Sequence, residues 1–119
     1  MKVLSIEQMH HLKELGVDVN PKGMCLMYTS DSSDNYYLKY GDSTCEDDVA
    51  AFSLQDVIEL LPYTFNNNYL RIYRSICMYY FIYENMSSEN DILEKGRNPL
   101  DASYNMLLWV IENGYLKTK

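Results

Sequence analysis

The sequence lacks the short motifs that most readily announce chemistry. It has no Gly-rich phosphate loop, no His-Glu-x-x-His and no Gly-x-Ser-x-Gly, so nucleotide, zinc-protease and serine-hydrolase chemistry have no local signature. Its only histidines, His10 and His11, are adjacent. On a helix they point ~100° apart and cannot face one metal ion together. The three cysteines, Cys25, Cys45 and Cys77, are odd in number, widely spaced and without a Cys-x-x-Cys pair. That pattern fits a reduced cytoplasmic chain better than a disulfide framework or a zinc site. No apolar run approaches the ~18 residues that span a bilayer, and the N-terminus shows no apolar leader core. The expectation is therefore a cytoplasmic protein that is not an enzyme, with no catalytic residue, cofactor or metal and no membrane contact.

Acids and tyrosines are abundant. The net charge is −7, and residues 31–59 hold eight acids (Asp31, Asp34, Asp42, Glu46, Asp47, Asp48, Asp56 and Glu59) against Lys39 alone. The other nine acids and nine bases cancel, so this segment carries the whole excess. Its field repels phosphates, which argues against a nucleic-acid partner. Arg71, Tyr73 and Arg74 set bases beside an aromatic on one strand, too few to reverse that balance. Twelve tyrosines supply most of the aromatic content. They suit half-buried strand positions, where the ring packs and the hydroxyl stays wet, and they also favour binding surfaces.

Three helices announce themselves by their caps. Ser5-Ile6-Glu7-Gln8 is a capping box with Leu4 and Met9 as a staple, and Gly16 ends the helix that follows. Ser53 with Asp56 opens a second helix, where Leu54, Val57, Ile58 and Leu61 follow the i, i+3, i+4, i+7 pattern until Pro62. Asn98 caps a third, with Pro99 in its first turn, Asp101 three residues after the cap and Gly114 at its end. Apolar residues cover most of that helix, so Tyr104, Leu107 and Trp109 are expected in the core. Its Met106–Val110 flank should meet either the first helix or another molecule.

Strands are expected over Met24–Tyr28, Tyr36–Tyr40, Tyr69–Tyr73 and Cys77–Tyr83, the last covered on both faces or lying in an interface. Asp31 and Asp34 lie in turn chemistry that lacks the spacing of a calcium loop. Glu84–Arg97 reads as a polar connection, with a short turn around Ile92-Leu93. The order is α-β-β-α-β-β-α. It predicts a single α+β domain over 1–119, with an antiparallel sheet of about four strands and helices packed on one face.

Leu4–Met9 with Lys13–Asp18, Phe52–Pro62, and Asp101–Tyr104 with Trp109–Leu116 together resemble a family of small uncharacterised proteins of gut anaerobic bacteria and their phages or prophages. The likeness covers under half the chain and consists of capped helices. It implies an accessory protein of a mobile element and carries over no catalytic or binding residue. The function expected is protein binding or regulation. Glu46, Asp47 and Asp48, with Tyr36 and Tyr37, are the residues expected to meet a partner protein. A structural homo-oligomer and an acidic nucleic-acid mimic that inhibits a DNA-binding protein are the alternatives. The acidic segment also has a purely solubilising explanation.

Overall fold

The computed structural model describes residues 2–30, 35–85 and 91–116. These fall into two compact units, 2–53 and 54–116, each with its own antiparallel sheet.

The first unit opens with α1 (Ile6–Glu14). Ser5 Oγ accepts from the Gln8 amide at 3.1 Å, and the Ser5 amide donates back to Gln8 Oε1 at 2.9 Å, which is the expected capping box. Gly16, at φ 95°, takes the left-handed position after the helix. The Gly16 and Val17 amides then close onto the carbonyls of Lys13 and Leu12. β1 (Cys25–Ser30) pairs antiparallel with β2 (Tyr36–Gly41) on one side and β3 (Val49–Ala50) on the other. Leu4, Met9, Leu12, Val17, Met27 and Val49 form the buried core of this unit. Tyr28 pins the chain before α1 to the sheet, its hydroxyl donating to the Leu4 carbonyl at 2.6 Å.

The second unit runs α2 (Leu54–Leu60), β4 (Thr64–Phe65), β5 (Asn68–Arg74), β6 (Tyr79–Asn85), β7 (Ile92–Gly96) and α3 (Pro99–Glu112). The sheet order is β4-β5-β6-β7. Asn66 and Asn67 both have positive φ, at 48° and 67°, as a two-residue primed hairpin turn requires. α3 lies on β6 and β7 and also contacts α2. Its Asn98 cap accepts from the Asp101 amide at 2.9 Å. Gly114 and Tyr115 close the C-terminal end onto the carbonyls of Ile111 and Val110. Phe81, Tyr83, Met106, Leu107 and Val110 are fully buried. Phe65 stacks on Tyr115 at 4.1 Å between ring centroids and on Trp109 at 6.1 Å, closing the end of this core.

The α+β class, the antiparallel pairing and the three helices hold among the described residues. Where about four strands in one sheet were expected, these residues form seven in two sheets. The two expected hairpins do not pair with each other; each recruits short strands of its own. Val49–Ala50 and Thr64–Phe65 are two residues long, too short to display a period of two. Within Glu84–Arg97, expected to be a connection, the described residues Glu84–Asn85 end β6 and Ile92–Gly96 form β7. The strand shows no apolar–polar alternation, because its exposed face carries Leu93 and Lys95 and its half-buried face Ile92, Glu94 and Gly96. Asp31 and Asp34 lie outside the described residues.

Candidate functional site

The expected partner residues cluster on β2 and on the loop that follows it, and the structure sorts them into different roles. Glu46 and Asp47 are exposed. Asp48, by contrast, turns inward and is only 3% exposed. Its Oδ2 accepts from the Thr44 amide at 3.0 Å, the Cys45 amide at 3.2 Å and the Ser43 hydroxyl at 3.0 Å. The other oxygen, Oδ1, has no partner of full hydrogen-bond geometry. Burial pushes this carboxyl's pKa up. The neighbouring Thr29 hydroxyl, the two amides and Ser43 outweigh it and hold the pKa below the ordinary carboxylate range. Asp48 therefore fastens its own loop rather than presenting a charge to a partner.

Tyr36 is half-buried, its ring edge-on to His10 at 5.2 Å. Tyr37 is exposed, together with Leu38 and Tyr40, which are 45% and 68% accessible. These side chains stand on a strand whose outer side carries no other strand among the described residues.

The direction of the β2 amides follows from the ladder. The Ala51 amide donates to the Leu26 carbonyl, so Leu26 and Tyr28 direct their backbone groups towards β3. Met27 and Thr29 then point towards β2 and meet Lys39 and Tyr37. By the same alternation, the N–H and C=O groups of Tyr36, Leu38 and Tyr40 point outward. No backbone partner for them occurs among the described residues.

The neighbouring edges are managed differently. On β3, the Ala50 amide is taken by the Val19 carbonyl at 2.8 Å. On β7, Asn105 of α3 donates to the Lys95 carbonyl at 3.0 Å. On β4, only two residues are in strand conformation. Covering or shortening an edge is the usual defence against unwanted strand pairing. β2 has six residues, two of its exposed side chains flanking Lys39, and no such cover among the described residues.

The sheet of the second unit carries a separate polar cluster. Tyr69 and Tyr73 donate hydroxyl hydrogen bonds to the two oxygens of Glu84. Arg71 lies over the rings of Tyr69 and Tyr73 at 6.0 Å and 5.1 Å, with its Nε 3.8 Å from Glu84. Acceptors and cation are thus matched within the cluster, which reads as a cross-strand ladder rather than an empty ligand site. The three cysteines are free, and no group of acids, histidines and cysteines suited to a metal occurs among the described residues. No described helix is long and apolar enough to cross a membrane.

Leu38 and Tyr40, exposed beside Tyr37, were not among the residues expected to meet a partner. The available signal was Tyr36-Tyr37-Leu38-Lys39-Tyr40 itself, which has a large side chain at every position instead of an apolar–polar alternation. Compared with known proteins, the chain matches no protein family, no curated protein and no solved structure.

Proposed function

We propose that this chain is a protein-binding accessory module, of the kind carried by phages and other mobile elements, which docks an extended basic segment of a partner along β2. The observation that carries this reading is the outer edge of β2, uncovered among the described residues, where the amides of Leu38 and Tyr40 point away from β1. Adding a strand satisfies such groups directly, and side chains on either face of the added strand supply selectivity.

Charge selects the partner. Asp42 follows β2 immediately, and exposed Glu46 and Asp47 lie in the same loop. The loop then crosses to β3 on the other side of β1, and its start stays near the strand, with Lys39 Nζ 3.4 Å from the Thr44 hydroxyl. A basic segment is drawn to this edge and an acidic one is repelled. The mobile-element setting rests on the resemblance of the three capped helices.

The test is fluorescence anisotropy with a labelled octapeptide alternating lysine and valine, and an alternating glutamate–valine control. The basic peptide should bind with an affinity that falls as salt is added, and the acidic peptide should not bind. Leu38→Pro should abolish binding. Its amide points outward, so proline removes a docking donor without removing a bond to β1. Equal binding of both peptides, undiminished binding by a folded Leu38→Pro variant, or no binding of the basic peptide would each refute the reading.

A further inference from the structure

β5 holds a second uncovered edge, of opposite charge. The Leu70 amide donates to the Tyr63 carbonyl at 2.9 Å, so Leu70 directs its backbone groups away from β6. Alternation along the strand turns the amides and carbonyls of Ile72 and Arg74 the same way. β4 pairs only with Asn68 and Tyr69, so these outward groups lie past its end. They have no backbone partner among the described residues. Arg71, Ile72, Tyr73 and Arg74 are all exposed. Arg71 has Glu84 of β6 3.8 Å from its Nε, so Arg74, which lies over the Tyr79 ring, carries most of the positive charge of this edge.

We propose that the basic segment received by β2 is this β5 edge, Arg71–Arg74, in a second copy of the chain. The inference rests on β2 being a docking edge. It is motivated by charge complementarity between the two open edges and by the exposed apolar side chains on each: Leu38 and Tyr40 on one, Ile72 and Tyr73 on the other. Antiparallel pairing with Tyr40 opposite Ile72 sets Leu38 against Arg74 and Lys39 against Tyr73. Arg71 then falls beside Gly41, where the acids begin. A shift of two residues would set Lys39 against Arg71, which like charge disfavours. Pairing ends at Leu70, whose amide Tyr63 already holds.

The contact is heterologous, so a reciprocal exchange yields a closed dimer and a one-way exchange yields a chain. So short a ladder between charged edges makes an association that depends on both concentration and salt.

The experiment is light scattering on the full chain at increasing concentration, in low and high salt. The wild type should shift from monomer to dimer or longer species, and added salt should reverse the shift. Arg71→Glu/Arg74→Glu should lose self-association, as should Asp42→Lys/Glu46→Lys/Asp47→Lys. An equimolar mixture of these two variants should regain it, because each then offers the edge that the other lacks. Ile72→Pro, which removes only an outward amide of β5, should remain folded by circular dichroism and lose association. A wild type that stays monomeric while binding the lysine–valine peptide would overturn this inference and leave the docking reading standing. Failure of both would sink both. Association unaffected by the arginine variant, or a mixture that does not recover it, would also exclude this pairing.

Discussion

Asp48 and Glu94 shift in opposite directions, and the pH dependence of stability follows from the pair. Asp48 is held below the ordinary carboxylate range by its hydrogen bonds. Its contribution is fully present above the unfolded carboxylate pKa of about 4 and is lost as pH falls through the lower folded value, where the folded carboxylate takes its proton. Glu94 is pushed up, first by burial and then by the Glu112 carboxylate. The folded state holds that proton more tightly, so its contribution is present at low pH and is lost as pH rises through the raised value. Asp48→Ala would strand the Thr44 and Cys45 amides and the Ser43 hydroxyl. The site is covered by a thin loop rather than a deep core, so a loss of about 1–2 kcal/mol at neutral pH is expected from urea midpoints. Glu94→Gln should raise neutral-pH stability by less than about 1 kcal/mol and leave acid stability unchanged. Neither role was legible in the sequence. Asp48 stands in a run of three acids, and only the fold tells which of them turns inward.

At the scale of elements, the helices were legible because their signals are local. Ser5, Asn98, Gly16 and Gly114 act within a few residues of themselves, and their hydrogen bonds form as the spacing dictates. β7 was missed because its support is remote. Gly96 lies beneath the start of α3, and a Cβ there would come within 2.7 Å of the Ala102 backbone nitrogen and 3.1 Å of its Cα. Backbone cannot yield as a flexible side chain can, so Gly96→Ala must push α3 off β7. Overpacking of this kind costs about 1–3 kcal/mol, readable as a lowered denaturation midpoint with helix content retained. Leu107, fully buried on the same helix, should cost roughly 2–5 kcal/mol when cut to alanine. A loss below about 1 kcal/mol would mean that the helix face is loosely packed. Met106 and Val110 are buried as well, and α3 contacts α2 besides the sheet. That apolar flank is therefore buried within the chain itself.

For the whole molecule, the charge balance governs how readily open edges meet. The net charge of −7 keeps copies apart at neutral pH, and the sequence pI is about 4.6. Acidification towards that value removes the general repulsion while Asp48, with its lowered pKa, stays ionised and its loop stays fastened. The outward backbone amides and carbonyls of both edges do not titrate, so their capacity to pair persists as the repulsion falls. Association through the edges should therefore strengthen before the fold is lost. Light scattering should rise as pH falls towards 4.6, while circular dichroism remains native. Leu38→Lys tests whether the edge is responsible. It changes the net charge by a single unit, so the isoelectric point hardly moves, but in the proposed pairing it places a cation directly opposite Arg74. If strand addition drives the acid-induced association, this variant stays dispersed at the pH where the wild type scatters. If nonspecific isoelectric aggregation drives it, the two proteins scatter alike.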